Sequence, residues 1–239
     1  MACGLITACT HDLELIKSPD SVALTTTGPW ASMIYLARTD SGVIAIDLGW
    51  TGAEEKLQEG LSRLGATPDD VRWVFLTHAH RDHVAGWRLV RHARFVLGAA
   101  EVPFLEGARE YEASLPRMGD ELVANDHPAA RELALLPLGM DTVIGLGRDT
   151  VAAFAIPGHT PGSTAYLFRG ILFGGDAVNW RPVTGFRGAR PEFSDNVEKS
   201  RASMRALWDR LPPSRARVLC SAHAKCAVAD QAVRRVTAQ

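Results

Sequence analysis

The fold class of this 239-residue chain is decided by the stretch THAHRDH, residues Thr77 to His83. Three of the eight histidines and one aspartate fall within positions 78–83. The apolar, β-rich run VRWVFLT (71–77) precedes them, which predicts a loop at the carboxyl end of a strand. Histidines two positions apart on an extended loop direct both rings to one point, while Asp82 and His83 face an adjacent point. This arrangement predicts two metal ions held side by side.

Three later segments repeat one arrangement, in which an apolar strand candidate is followed by a single histidine or aspartate. The three side chains are His159, Asp176 and His223. Each alone is also typical of a capping aspartate or an exposed histidine, but with the first cluster they give seven candidate ligands for two divalent ions. This donor set suits Zn2+ best, and Fe and Mn accept it as well.

Apolar patterning predicts interleaved strands and helices. Residues 22–47 contain three β-rich stretches broken by turn residues, which predicts a small antiparallel meander. A helix is predicted over 52–64, begun by a capping box of Thr51 and Glu54. Strands and helices continue to alternate without a linker or an internal repeat. We therefore predict a single domain over residues 1–239 with an α/β sandwich fold.

The second half of the chain has weaker patterning. Helices are predicted over 99–114 and 225–237, and 115–132 shows no clear pattern. An amphipathic helix ending before Pro212 has Asp195 and Glu198 as candidate caps. Strands are predicted over 94–97, 133–137, 142–144, 151–156, 163–168, 170–174 and 216–220.

Composition limits the classes of partner. The chain has 26 lysines and arginines against 27 aspartates and glutamates, a net charge of -1, so nothing draws it generally to nucleic acid or to an anionic membrane. No apolar run approaches the roughly 18 residues of a membrane-spanning helix, and the N-terminal sequence lacks the pattern of a secretion signal. We expect a cytoplasmic protein with a small-molecule substrate, and the sequence makes no prediction of oligomeric state.

The four cysteines are too few for a disulfide scaffold, so reduced thiols are expected. Cys220 and Cys226 lie three residues on either side of His223. We interpret them as a buried strand thiol and a helix thiol rather than as sulfur ligands.

Five motifs resemble, in order and spacing, those of the metallo-β-lactamase-fold hydrolase superfamily, over about residues 20 to 225. They are IDLG with Asp47, THAHRDH, PGHTPGS, GGD and the terminal strand ending in His223. The resemblance implies a four-layer αβ/βα sandwich, with two mixed β-sheets flanked by helices and a dinuclear site at one edge of the sheets.

The resemblance also implies a role for each candidate ligand. His78, His80 and His159 correspond to the ligands of a first metal, and Asp82, His83 and His223 to those of a second. Asp176 corresponds to the carboxylate that bridges both ions, and Asp47 to a nearby residue that holds a histidine in place.

The implied reaction is hydrolysis by a hydroxide that bridges two divalent ions. Asp82 is expected to orient the hydroxide or to pass a proton to the leaving group, and Asp176 to hold the two ions. The bridging carboxylate resembles that of glyoxalase II-like thioesterases and lactonases, so we expect a small ester, thioester or lactone as substrate. Only 16 residues follow His223, which argues against a glutathione thioester.

Residues 178–191 hold three arginines, two aromatic residues and no acid directly after Asp176. They are interpreted either as a contact for an anionic or acyl-bearing substrate or as a solvated loop.

Other functions remain open. One is a mononuclear iron oxidoreductase resembling the persulfide dioxygenases of the same fold. Others are a phosphodiesterase or nuclease, for which a basic arm or extra domain is missing, and a β-lactamase, which by resemblance lacks the bridging carboxylate. The last is a metal-binding protein without catalysis.

Overall fold

The computed structural model describes residue 16 and residues 18–26, 31–113, 128, 130–223 and 225–239. Six strands form the first sheet (sheet 1): β1 (Ser21–Thr25), β2 (Met33–Thr39), β3 (Gly42–Ile46), β4 (Val71–Phe75), β5 (Arg94–Gly98) and β6 (Ala134–Leu138). Strands β1 to β3 form the predicted antiparallel meander, and β3 to β6 run parallel to one another.

Eight further strands follow along the chain: β7 (Thr142–Leu146), β8 (Asp149–Ala155), β9 (Thr164–Phe168), β10 (Ile171–Phe173), β11 (Val178–Arg181), β12 (Gly185–Gly188), β13 (Val218–Cys220) and β14 (Cys226–Val228). Sheet 2 has the order β14-β13-β10-β9-β8-β7, and β10 pairs with β13 in parallel while the other pairs are antiparallel. Strands β11 and β12 form a separate hairpin.

Five α-helices accompany the sheets in the described residues: α1 (Ala53–Arg63), α2 (Arg81–Val84), α3 (Val102–Leu105), α4 (Val197–Arg210) and α5 (Gln231–Thr237). Among these residues, no helix is long and apolar enough to cross a membrane.

Three apolar clusters separate four layers. Leu57 of α1 packs on the outer face of sheet 1. Phe75 of sheet 1 meets Tyr166 of sheet 2 edge-on, with ring centroids 5.3 Å apart, in the cluster between the sheets. Met204 and Leu207 of α4 pack on the outer face of sheet 2. The predicted sandwich of two mixed sheets flanked by helices is confirmed.

Both faces of each sheet are buried, and successive residues of a strand belong to the apolar clusters on opposite faces. In β2, Ile34 joins the cluster beneath α1, while its neighbour Tyr35 joins the cluster between the sheets. In β9, Leu167 faces α4 while Tyr166 faces sheet 1. Successive side chains of a strand point to opposite faces, so strands buried on both sides must be apolar at nearly every position.

Two helix caps differ from the prediction. Helix α1 begins after Gly52 in the left-handed conformation, with no side-chain cap, so the predicted capping box of Thr51 and Glu54 is wrong. Helix α4 is capped by Asn196, whose side chain accepts a hydrogen bond from the Lys199 backbone N–H. Neither predicted cap serves: the carboxylate of Asp195 accepts the backbone N–H groups of Glu112 and Ala113, and that of Glu198 pairs with Arg201.

Two predicted helices are wrong in extent. The helix predicted over 99–114 is a 3-10 turn, Ala99–Glu101, followed by the one-turn helix α3, and Gly107 with a φ of 67° lies just beyond it. The helix predicted over 225–237 begins only at Gln231, because Cys226–Val228 pairs with β13 and Asp230 caps α5. Residue 114, the last of the predicted helix, and residues 115–127 and 129 of the unpatterned segment 115–132 lie outside the described residues.

Candidate metal centre

The seven candidate ligands all follow the carboxyl ends of strands. Four of them follow β4, and the others come one each from the ends of β8, β10 and β13. Their donor atoms fall into groups whose members lie within 4.8 Å of one another. We call His78, His80 and His159 the histidine triad, and Asp82, His83 and His223 the mixed group.

The histidine triad brings three ring nitrogens together. His78 Nε2 lies 3.0 Å from His80 Nδ1 and 3.2 Å from His159 Nε2, and the last two atoms are 3.1 Å apart. A tetrahedral zinc with Zn–N bonds of about 2.0–2.1 Å has N···N edges of about 3.4 Å. The triad therefore has the spacing of three corners of a zinc tetrahedron.

Hydrogen bonds at the Nδ1 atoms of His78 and His159 leave the Nε2 atoms of these two rings without a proton. Thr77 Oγ1 donates to Asp47 Oδ2 at 2.8 Å, so the 3.1 Å contact with His78 Nδ1 is an N–H donating to the hydroxyl. Ser194 Oγ likewise donates to the Arg190 carbonyl at 2.7 Å and accepts from His159 Nδ1 at 3.1 Å. In a neutral ring the other nitrogen, Nε2, is then a lone-pair donor aimed into the triad.

Asp176 lies between the triad and the mixed group. Its Oδ2 atom is 3.8 Å from His159 Nε2 of the triad and 3.1 Å from His223 Nε2 of the mixed group, and its Oδ1 atom is 3.6 Å from His83 Nε2. Both Asp176 Oδ1 and His83 Nε2 are buried without a hydrogen-bond partner among the described residues. Unsatisfied buried polar atoms are rare, and a cation between them would satisfy both.

The mixed group is held from outside in the same way. Asp82 Oδ2 lies 3.6 Å from the Nε2 atoms of both His83 and His223. His83 Nδ1 donates to Asp47 Oδ2 at 2.9 Å, and His223 Nδ1 donates to the Ala31 carbonyl at 2.9 Å. Asp47 therefore holds His83 in the orientation that presents Nε2 to the group.

Burial and charge separate the two groups electrostatically. Burial lowers the pKa of His159 to about 4, and burial with three neighbouring histidines lowers the pKa of His78 well below its usual range. Burial also opposes a charge on His83, but the carboxylates of Asp82 and Asp47 outweigh it and raise its pKa to about 9. Asp176 similarly outweighs burial and raises the pKa of His223 to about 10.

Glycines let the ligand loops approach other backbone closely. Gly158, directly before His159, has a φ of 141°, and a Cβ there would lie 2.1 Å from the Ser200 backbone nitrogen. Gly175, directly before Asp176, has a φ of 53° and faces Thr77. A side chain at either position would displace a candidate ligand.

A disulfide between Cys220 and Cys226 closes the loop that carries His223. The same two residues face each other in the antiparallel pairing of β13 with β14. The expectation of reduced thiols at these two positions is therefore wrong. This strand pairing places the two Cα atoms 4.1 Å apart. The separation of the two cysteines in the sequence did not predict so short a distance. Within the loop, the Ser221 backbone N–H donates to the Lys225 carbonyl at 2.9 Å.

The arginine-rich segment 178–191 is mainly the β11–β12 hairpin. Arg181 and Arg190 both pair with Glu192, at 3.5 and 2.6 Å, so two of its three cationic groups have an acidic partner just outside the segment. Trp180 lies under the Lys225 ammonium, 4.6 Å from its ring centroid, and so borders the His223 loop. A substrate contact at this hairpin stays a prediction.

Several residues that hold the site gave no signal in the sequence. Thr77, Ser194 and the Ala31 carbonyl contact ligand rings, and of these only Thr77 lies in a motif, THAHRDH, where its own role was not predicted. Glu101 is fully buried and accepts hydrogen bonds from both loops of the triad. Serine and glutamate are too common for such contacts to be found without the fold.

Comparisons with known proteins agree with this geometry. Residues 27–216 match the family model of the metallo-beta-lactamase superfamily. The uncharacterised protein YobT of Bacillus subtilis (strain 168) is 26% identical over 191 residues, which cover 74% of this chain and 78% of YobT. A hydroxyacylglutathione hydrolase of Acidiphilium cryptum (strain JF-5) is 38% identical over 136 residues, covering 56% of this chain and 44% of that protein.

The fold is also that of a solved structure, the metallo-beta-lactamase SMB-1 bound to 2-mercaptoethanesulfonate. The TM-score is 0.66 at 19% identity, covering 92% of this chain and 89% of that one. The family model spans most of the chain, and the matched region contains six of the seven candidate ligands. The chain therefore belongs to the metallo-beta-lactamase superfamily of metal-dependent hydrolases.

Proposed function

We propose that this protein is a dinuclear metal-dependent hydrolase that cleaves a small ester, thioester or lactone. The observation that carries the proposal is the position of Asp176, whose carboxylate lies within 3.8 Å of ring nitrogens from both the triad and the mixed group. A carboxylate shared between two donor groups suits two adjoining divalent ions. Zinc is the proposed metal, because imidazole and carboxylate together favour it.

Each group has its own part in the proposed site. The histidine triad would hold one ion, the mixed group the second, and Asp176 both. Bound divalent ions supply a water whose pKa is near 7 and a Lewis acid for the substrate oxygen. No serine or cysteine nucleophile is then needed.

Asp82 is the proposed proton-handling residue. Its side chain is 18% exposed, whereas that of His83 is fully buried, so the carboxylate borders the open side of the site. From there it orients the attacking water and passes a proton to the leaving group.

The choice of ester or thioester rests on two further points. The similar protein from Acidiphilium cryptum is named a hydroxyacylglutathione hydrolase, which is a thioester hydrolase. Asp176 argues against β-lactam hydrolysis, since the sequence resemblance gives metallo-β-lactamases no carboxylate at this position. The similarity to SMB-1 at 19% identity concerns the fold alone.

The decisive experiment measures metal and activity on the same preparation. Protein purified without added metal is analysed by elemental mass spectrometry, then assayed on thioesters, lactones, phosphodiesters and a cephalosporin. We expect about two ions per chain, as zinc or zinc with iron, and turnover of an ester, thioester or lactone. His92→Ala, an exposed histidine away from both groups, is the matched control for ligand variants.

Other outcomes would replace the proposal. One iron per chain without hydrolysis, together with oxygen consumption, would favour the mononuclear iron oxidoreductase. Turnover of the phosphodiester or the cephalosporin alone would move the substrate to that class. Metal without any turnover would leave a binding protein.

The proposal also includes a small-molecule substrate and a cytoplasmic location. The Cys220–Cys226 disulfide counts against the location, because structural disulfides are rare in a reducing cytosol. Cell fractionation, with trapping of free thiols before lysis, tests the location and the bond together.

A further inference from the structure

Glu101 is a carboxylate that neither the candidate ligands nor the proposed reaction uses. It ends the 3-10 turn after β5, and its side chain is fully buried. Among the described residues no lysine, arginine or histidine pairs with it. A glutamate is almost never fully buried without a partner that compensates its charge.

Glu101 is bonded instead to the two loops that carry the histidine triad. Its Oε2 atom accepts the Ala79 backbone N–H at 2.9 Å, and Ala79 stands between His78 and His80. Its Oε1 atom accepts the Gly162 backbone N–H at 2.7 Å, three residues after His159. One carboxylate therefore spans the gap between the two loops.

The second loop is pressed closely against the turn that carries Glu101. A Cβ built on Gly162 would lie 2.8 Å from both the backbone nitrogen and the Oε1 atom of Glu101. A Cβ on Gly98 would lie 2.0 Å from the Gly162 carbonyl oxygen.

We propose that Glu101 is a positioning residue for the metal of the histidine triad, whose carboxylate fixes the distance between the two ligand loops. Hydrogen bonds to groups behind the ligands commonly contribute 10–100-fold to metal affinity, roughly the size of effect expected here. The inference rests on the metal centre of the proposed function and not on its substrate.

The test measures zinc affinity at the triad alone. His223→Ala removes a ligand of the mixed group, and competition with a chromophoric chelator then reports the triad. In the His223→Ala protein, E101Q keeps the shape of the side chain but replaces one accepting oxygen with an NH2 group. That group cannot accept the backbone N–H that faces it. We expect zinc binding to weaken by about 10–100-fold, and the visible spectrum of the Co2+-substituted protein to change.

Matched variants separate positioning from general destabilisation. E55Q, at an exposed glutamate of α1, is expected to bind zinc as the parent does. E101D keeps the charge but shortens the reach, so it should fall between E101Q and the parent. Unfolding of each metal-free protein is measured in parallel, so that a loss of fold is not counted as a loss of affinity.

The results distinguish this inference from the proposed function. If the His223→Ala parent binds no zinc, the metal centre itself is wrong. If the parent binds zinc and E101Q binds within about twofold of it, the role of Glu101 is refuted. Should E101Q not fold, E101D, whose shorter side chain cannot accept both the Ala79 and the Gly162 N–H groups, should weaken binding about threefold, and unchanged binding would likewise refute the role.

Discussion

The histidine triad and the mixed group are neighbours with opposite properties. The triad consists of nitrogen donors only, and the pKa of both His78 and His159 is lowered by burial. The mixed group contains a carboxylate, and the pKa of His83 and of His223 is raised to about 9 and about 10. One group is ready for a cation near neutral pH, and the other must first release protons.

Exposure differs in the same direction. The side chain of His159 is 1% exposed, whereas that of His223 is 30% exposed. In the proposed function a substrate would therefore approach from the side of His223, the partly exposed member of the mixed group. In the proposed site the two ions would therefore not be equivalent, since the triad offers buried ring nitrogens and the mixed group offers a carboxylate and a partly exposed histidine.

Removal of a ligand from each group gives the largest expected effects. His80→Ala should abolish the triad ion and lower turnover by more than about 100-fold, beyond the loss typical of an outer contact. His223→Ala should remove only the second ion and leave the triad occupied. Elemental analysis and steady-state assays of both variants, with His92→Ala as control, measure this. Equal metal loss in the two variants would contradict independent groups.

The pH dependence of metal binding sharpens the comparison next. In the metal-free protein His83 and His223 hold protons at pH 7, because their pKa values are about 9 and about 10. Each proton must leave before Nε2 can bind a cation, so affinity at the mixed group should rise with pH by up to about 100-fold per unit between pH 6 and 8.

The triad should respond less over the same range, because the pKa values of His78 and His159 lie below it. Chelator competition at several pH values, with calorimetry in buffers of different ionisation enthalpy, measures both affinities and the protons released. Equal slopes for the two groups would refute the electrostatic contrast.

A substitution at Asp47 tests whether the triad and the mixed group depend on the same hydrogen-bonding residue. Asp47→Asn should weaken the mixed group by about 10–100-fold, since the carboxylate accepts directly from His83. The effect on the triad should be smaller, because Asp47 reaches His78 only indirectly, by accepting the backbone N–H and the hydroxyl of Thr77. Asparagine tolerates the φ of 52° at this position, so the backbone is not disturbed. A larger loss at the triad would reverse this order.

The sequence predicted best those features that depend on a short pattern of neighbouring residues. A single apolar strand followed by a histidine or aspartate predicted each place at which the structure brings a candidate ligand to the common edge. The alternation of buried side chains in strands such as β2 likewise made the sandwich predictable. These features depend on neighbours in the chain, which a sequence displays directly.

The sequence did not predict hydrogen bonds between residues far apart in the chain. Glu101 lies 61 residues from Gly162, and Ser194 lies 35 residues from His159. The predicted helix over 225–237 was wrong in extent for the same reason, since residues 226–228 pair with β13 as a strand. Tertiary pairing decides such segments, and one sequence carries no record of it.

The Cys220–Cys226 disulfide should produce the smallest effect and act on one group only. The bond joins residues six positions apart around His223, and closing so short a loop stabilises a protein by about 2 kcal/mol. Replacing both cysteines with serine should weaken the mixed group by about threefold and leave the triad unchanged, as measured by chelator competition. Because one covalent bond is lost whichever cysteine is replaced, each single variant should lose as much as the double variant. Additive losses would mean that the two thiols are free, and the mixed group would then owe its geometry to the β13–β14 pairing alone.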